Sequence, residues 1–158
     1  MKKVRNVMIL CALLLAAGCT SEEPDAITGD VAKPAWADPT SYDMTASMTA
    51  IMDINLSYSF PAQVANLKTP LTKDEDLLAA FDGETCLGVA KLVDGLFFLY
   101  ITAPVSGEES ESAPITLKYY SKDLSNIFVG TEKITFRNDT QLGSIAEPYT
   151  PKFVVEKK

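Results

Sequence analysis

The chain contains no histidine. This absence excludes Ser-His-Asp and Cys-His hydrolysis, histidine-ligated zinc and acid-base catalysis by imidazole. A serine-lysine dyad or a pair of carboxylates stays open as a catalytic device, but neither has a recognisable motif here. Phosphate-binding glycine loops are missing too, since neither G-x-G-x-x-G nor G-x-x-x-x-G-K occurs. The sequence therefore assembles no recognisable active site.

Basic residues are scarce. The chain has 14 lysines and arginines against 21 acids, and its formal net charge is -7. Three of the basic residues lie within residues 1–18, so loss of that segment would make the protein more acidic still. This balance argues against nucleic-acid binding, which requires clustered lysine and arginine, and against electrostatic adhesion to anionic lipid.

Long apolar runs are also missing, apart from Val7–Ala17, which follows three basic residues. This run falls short of the roughly 20 residues that span a bilayer, so it predicts a signal peptide over residues 1–18. Its end, LAAGC at residues 15–19, resembles the lipobox of bacterial lipoproteins. The resemblance implies cleavage after Gly18 and a covalent lipid on Cys19 as the membrane anchor. An ordinary secretory signal with an incidental cysteine is the alternative.

An acidic stretch, EEPD at residues 22–25, follows Cys19 and is similar to the export signal that sends Bacteroidetes lipoproteins to the outer face of the outer membrane. A solvated acidic linker is the alternative interpretation. Prolines are frequent and bulky apolar residues rare up to Asp38, so we predict a lipidated acidic tether over 19–35 and a folded domain over 36–158. The expected location is the outer membrane, lipid-anchored and exposed on the cell surface.

Cysteine is scarce as well. Cys11 would leave with the signal peptide and Cys19 would carry lipid, so Cys86 is the remaining thiol and an intramolecular disulfide is excluded. Without a basic partner to hold a thiolate, Cys86 is predicted to be a small buried hydrophobic residue and not a nucleophile. Stability must then come from a packed core.

Two Asp-Gly pairs, Asp82-Gly83 and Asp94-Gly95, separate three apolar segments at residues 77–81, 84–92 and 96–102. An Asp-Gly pair between apolar runs is a strong hairpin signal, because both central residues of a type I′ turn need positive φ. The three segments are therefore predicted to form an antiparallel meander onto which the other strands pack.

Residues 42–60 alternate strictly, with apolar residues at the even positions and polar residues at the odd ones except Ile51. The pattern predicts one long strand, or two strands joined at a bend near residues 53–55, that ends at Pro61. The methionines on the apolar face are predicted to fill the core, with an adaptable binding surface as the alternative.

Further short strands are predicted at residues 115–120, 127–129, 134–136 and 153–155, and a solvated acidic hairpin loop at 104–114. About eight strands with turns at short spacing and no convincing helix indicate an all-β protein. The expected fold is an antiparallel β-sandwich.

Four acids around the first strand of the meander are a candidate metal site: Asp74, Asp76, Asp82 and Glu84. Calcium favours such clusters of loop oxygens. No complete calcium-loop spacing is present, so solvated turn acids are the competing interpretation, and the expected cofactor set is the lipid alone.

Three aromatic residues are candidates for contact with a ligand or a protein partner. Tyr119 and Tyr120 cannot share one face of a strand, so one of them is expected to point outward. Trp36 could stack on a sugar ring or anchor a partner, or it could close one end of the sandwich.

Several motifs together resemble a β-rich module that recurs in secreted and surface proteins of Bacteroidetes. They are, in chain order, Trp36, Ser47-Met48-Thr49, Asp76, Ala79-Ala80-Phe81, Gly83-Glu84, Cys86, Gly88-Val89-Ala90, Phe136, Gly143-Ser144 and Pro148-Tyr149. The match covers most of residues 36–153 and implies a sandwich-like fold on the cell surface, without any chemistry to carry over. Leu87 departs from the module, which favours a cationic residue after the cysteine.

Three functions from different classes follow. The first is a non-catalytic accessory lipoprotein of a nutrient-uptake (SusC/SusD-like) complex, in contact with a TonB-dependent transporter and its substrate-binding lipoprotein. The second is an independent glycan- or peptide-binding surface module with an exposed aromatic platform. The third is a carboxylate-dependent hydrolase, which would need two acids converging in a cleft. We expect the first, with no enzymatic activity and no nucleic-acid partner.

Overall fold

The computed structural model describes residues 26–39, 46–102 and 114–157. The predicted signal peptide, Gly18, Cys19 and most of the acidic loop at 104–114 lie outside the described residues. No helix in the described ranges is long and apolar enough to cross a bilayer.

The described part of the chain contains ten strands and two short helical segments. The strands are β1 (Ser47–Met52), β2 (Leu77–Asp82), β3 (Thr85–Val89), β4 (Lys91–Val93), β5 (Leu96–Thr102), β6 (Pro114–Ser121), β7 (Asn126–Gly130), β8 (Ile134–Thr135), β9 (Thr140–Leu142) and β10 (Phe153–Val155). The helical segments are a 3₁₀ turn, Leu56–Tyr58, and helix α1, Pro61–Ala65.

The strands form two sheets that pack face to face. Sheet A has the order β4-β5-β1-β9, and sheet B has the order β10-β7-β6-β2-β3, with β8 paired to β6. Neighbouring strands are antiparallel except β1 and β9, which run parallel. The predicted all-β sandwich is confirmed, with more strands than the eight expected.

The core between the sheets is built by alternate residues of each strand. In β5, Phe97, Leu99 and Ile101 point inward and are almost completely buried. Met48 and Met52 of β1 lie in the same cluster, so these methionines fill the core as predicted. The aromatic centre also includes the side chains of Tyr119, Phe128, Phe136 and Phe153.

The predicted meander is wrong in one respect, because its three segments belong to two sheets. Strands β2 and β3 form a hairpin in sheet B, whereas β4 and β5 form a hairpin in sheet A. The segment predicted as one strand at 84–92 therefore changes sheet at Ala90. The backbones come close at this corner, where Thr102 Oγ1 donates to the carbonyl of Leu87 over 3.0 Å.

The two hairpin turns differ. At Asp94-Gly95 both residues have positive φ, +50° and +81°, as a type I′ turn requires. At the other hairpin, Asp82 pairs with Thr85, so the turn residues are Gly83-Glu84 and not Asp82-Gly83. Only Gly83 of that pair has positive φ. The hairpin positions were predictable, but the register at the first turn is shifted by one residue.

The long alternating segment is a strand only in its first half. Strand β1 covers Ser47–Met52, and the chain then turns through the 3₁₀ segment and helix α1, while residues 42–45 lie outside the described part. Asn55 starts the 3₁₀ turn by accepting a hydrogen bond from the Ser57 amide. Tyr58, expected on the apolar face, is 61% exposed.

The segment 26–39 packs against the sandwich, although residues up to 35 were predicted to be tether. Ile27 is 4% exposed and belongs to the core, and its carbonyl accepts a hydrogen bond from Asn126 Nδ2. Further along, Trp36 packs edge-on against Phe81 on the outer face of sheet B. Ordered contacts therefore begin well before the predicted domain start at residue 36.

Candidate functional site

A groove of about 640 Å³ lies along the outer face of sheet A. Phe98 and Tyr100 of β5 line its floor with Ile51 and Thr49 of β1. In the sheet register Phe98 is opposite Ile51, and Tyr100 is opposite Thr49. Two aromatic rings therefore stand beside each other along one strand on a surface that the opposite sheet does not cover.

The alternation of β5 explains why these rings face outward. Phe97, Leu99 and Ile101 occupy the core, so Phe98 and Tyr100 must lie on the opposite side of the strand. The sequence carried this signal, because β5 is apolar or aromatic at every position from Leu96 to Ile101 and only its inner positions are needed for the core. The aromatic pair was nevertheless missed when candidate contact residues were selected from the sequence.

The rim of the groove is polar and electrically balanced. Lys91 and Gln141 lie on either side of the floor, on strands β4 and β9. Asp38 reaches the rim from the N-terminal segment, and its Oδ1 accepts a hydrogen bond from the Val89 amide over 2.7 Å. One cation, one anion and neutral hydrogen-bonding groups thus surround an apolar floor in an otherwise acidic protein.

Comparisons with known proteins give no relative from which a ligand could be transferred. No family model, curated protein or solved structure matches the chain. The groove must therefore be interpreted from its own chemistry.

The tyrosines predicted as contact residues are not available for contact. Tyr119 is 3% exposed and points into the core, and Tyr120 is 5% exposed on the outer face of sheet B. One of the two does point outward from the core, as predicted, but Tyr120 is buried on that outer face and does not offer a surface to a ligand. Trp36 is half-buried against Phe81 on the same side.

The four acids proposed as a metal site are not brought together. Asp74 and Asp76 precede β2, whereas Asp82 is its last residue and Glu84 lies in the turn beyond it, about 20 Å away for a strand of six residues. Within the described residues, no group of three or more potential ligand side chains has the geometry to hold a metal ion.

Asp76 instead belongs to a buried hydrogen-bond network. Its Oδ2 accepts a hydrogen bond from the Tyr119 hydroxyl, and its Oδ1 accepts one of 2.7 Å from the Lys122 amide. Burial raises the pKa of the Asp76 carboxyl, although both hydrogen bonds act in the opposite direction. Burial beside this carboxyl also raises the pKa of Tyr119, so its hydroxyl stays protonated and serves as a donor. The network stabilises the start of β2 against the end of β6.

Cys86 is half-buried, and burial raises the pKa of its thiol above the usual 9.0. We expect the folded protein to react with iodoacetamide at pH 7.5 at least about tenfold more slowly than the urea-unfolded chain, because little thiolate forms. Mass spectrometry of timed samples measures both rates. Equal rates in the two states would contradict the structural role assigned to this thiol.

Proposed function

We propose that the protein is a non-catalytic lipoprotein of the outer-membrane surface that binds a glycan in the groove on sheet A. The observation that carries this proposal is the pair of outward rings, Phe98 and Tyr100, inside a polar rim. A sugar ring has an apolar C–H face that packs on an aromatic ring and hydroxyl groups that bond to polar side chains at its edge. The groove has the size typical of small-ligand sites, about 300–1,000 Å³.

The balanced charge of the rim favours a neutral glycan over a charged peptide. Lys91 and Asp38 offset one another, and Asp38 already accepts the Val89 amide. Thr49 and Gln141 add uncharged hydrogen-bonding groups. A neutral ligand also meets no long-range repulsion from the net negative charge of the protein, whereas an acidic peptide would.

Replacement of Phe98 or Tyr100 by alanine is expected to weaken binding of neutral oligosaccharides at least about tenfold, or 1.4 kcal/mol, because the stacking surface is lost. Isothermal titration calorimetry with oligosaccharides selected on a glycan array measures the change. Tyr58→Ala is the matched control, since Tyr58 is exposed but lies outside the groove. Equal weakening by Tyr58→Ala, or no oligosaccharide binding by the unmodified protein, would refute the glycan site.

A role as accessory subunit of a nutrient-uptake complex is compatible with this site and is the wider proposal. The expected partners are a TonB-dependent transporter and its substrate-binding lipoprotein. Gentle detergent extraction of outer membranes through a tag at Lys158 tests it. Co-purification of both partners in stoichiometric amount would support the accessory role, and recovery of the protein alone would contradict it while leaving the glycan site standing.

A further inference from the structure

The N-terminal segment joins the sandwich at one particular end. The Gly29 amide donates to the carbonyl of Leu124, and the Val31 amide donates to that of Ser125, both in the turn between β6 and β7. Together with the hydrogen bond from Asn126 to Ile27, these contacts fix residues 27–31 at this turn. The described N-terminal segment therefore begins at this end of the sandwich.

Four segments make up this end, which we name the tether end. They are residues 53–58 after β1, the β4–β5 turn at 94–95, the β6–β7 turn at 122–125 and the loop 143–149 after β9. Lys73 connects the first two, since its Nζ contacts Asp53 Oδ1 at 2.6 Å and the carbonyl of Gly95 at 2.9 Å. The Thr72 amide donates to Asp123 in the third segment, and the Asp53 amide donates to the carbonyl of Tyr149 in the fourth.

Exposed large hydrophobic side chains concentrate at this end. Among the described residues four such side chains are exposed, and three of them lie on or beside these segments: Tyr58 at 61%, Val93 at 48% and Ile145 at 70%. The fourth, Val154, lies on β10. Aliphatic and tyrosine side chains at the edge of a domain suit the headgroup region of a membrane, which lies between the apolar hydrocarbon core and water.

The length of the chain to the lipid places this end near the membrane. Only residues 20–25 separate Cys19 from Ala26. A fully extended chain spans at most about 3.6 Å per residue, so the Cα atom of the lipidated residue lies within about 25 Å of that of Ala26. The opposite end, where the Gly83-Glu84 hairpin turn projects, is a full strand length farther away. This step rests on the lipid anchor at Cys19 that the proposed function includes.

Charge at the tether end does not prevent close approach to lipid. Asp53 is paired with Lys73, and Glu75 is paired with Lys122. The Asp123 carboxylate accepts hydrogen bonds from both the amide and the hydroxyl of Thr72. The pairing of these acids reduces repulsion from an anionic membrane surface, although Asp94 at a turn tip and Glu147 in the fourth segment limit the contact to the depth of the headgroups.

We propose that the tether end rests on the outer surface of the lipid bilayer, with Val93, Ile145 and Tyr58 in contact with the headgroup region. The groove on sheet A then faces sideways along the membrane, and the Gly83-Glu84 turn points away from it. The exposed apolar side chains of the tether end thus contact the same bilayer that holds the lipid anchor of the chain.

Spin labels on the acylated full-length mature chain test this orientation. Single cysteines are introduced by Val93→Cys, Ile145→Cys and the control Glu84→Cys, each in a Cys86→Ser background, and the protein is reconstituted in phosphatidylethanolamine–phosphatidylglycerol vesicles. At positions 93 and 145 the collision rate with oxygen is expected to rise on vesicle binding, and that with a water-soluble nickel complex to fall. At position 84 both rates are expected to stay at their solution values.

The other outcomes overturn the proposal in distinguishable ways. Chain that does not float with the vesicles refutes the lipid anchor, and this inference with it. Chain that floats but keeps aqueous collision rates at 93 and 145, or shows lipid contact at 84, refutes the orientation alone. Dipolar broadening between labels at 145 on separate molecules would assign the tether end to a contact between two copies of the chain, against a lipid contact.

Discussion

Gly88→Ala is expected to destabilise the domain by at least about 4 kcal/mol, a large part of the 5–15 kcal/mol that folded domains possess. A Cβ at this position would overlap the backbone carbonyl oxygen of Tyr100 on the facing strand β5. That oxygen belongs to the main chain, so it cannot rotate away as a flexible side chain would. Relief requires β3 to separate from β5 at the corner where the two sheets meet.

Urea unfolding followed by circular dichroism and by Trp36 fluorescence measures this loss, and Gly83→Ala is its matched control. Gly83 has a φ of +57°, and a Cβ added there would meet no atom within 4 Å. Alanine at this position therefore costs only the strain of the left-handed backbone conformation, about 1 kcal/mol of stability. A smaller loss for Gly88→Ala than for Gly83→Ala would show that the two sheets do not meet as closely as described. Trp36 packs on Phe81, so its fluorescence also reports whether segment 26–39 stays attached.

Asp76→Ala is expected to cost about 3 kcal/mol, because it leaves the buried Tyr119 hydroxyl and the Lys122 amide without their acceptor. Asp76→Asn is the matched control, since an amide oxygen can still accept from the Lys122 amide and its NH₂ group can donate to the Tyr119 oxygen. The free energy of unfolding in urea at pH 7 measures both. Losses of equal size would mean that side-chain volume, and not hydrogen bonding, determines the role of this residue.

The raised pKa of Asp76 also predicts a pH dependence with a definite sign. A carboxyl whose pKa is higher in the folded than in the unfolded state binds more protons when folded, so stability falls as pH rises. Its contribution is complete below the ordinary value of 3.8 and is lost as pH rises through the elevated folded value. The stability of the unmodified protein minus that of Asp76→Asn should therefore decline across this window, and an increase would contradict the burial assigned to Asp76.

The sequence predicted local features well and long-range ones poorly. The two hairpins follow from their glycine turns, and the inward residues of β6 follow from the alternation of apolar and polar residues over 115–119. The change of sheet at Ala90 was missed because residues alternate in the same way whether a strand stays in one sheet or crosses to the other. The second half of the 42–60 pattern was misread because a 3₁₀ turn and a short helix also bury Ile54, Leu56 and Phe60.

Burial on the outer face of sheet B escaped prediction for a different reason. Tyr120 faces away from the core, and from the alternation of the strand alone its side chain should be exposed to solvent. Tyr120 is nevertheless only 5% exposed, on a face that segment 26–39 reaches where Trp36 packs on Phe81. A segment with so few apolar residues resembles a linker in composition, so composition alone could not identify it as part of the domain.

The position of β1 in sheet A determines how much of the chain must be present before that sheet is complete. Strand β1 pairs antiparallel with β5, with Ser47 opposite Thr102, and parallel with β9, with Met48 opposite Thr140. More than half of the chain must therefore be present before β1 can pair with β5. Almost all of the chain must be present before β1 can also pair with β9. Pairings this distant in sequence close slowly. A chain that emerges from its N-terminus would therefore complete sheet A only when residues 140–142 are free to pair with β1.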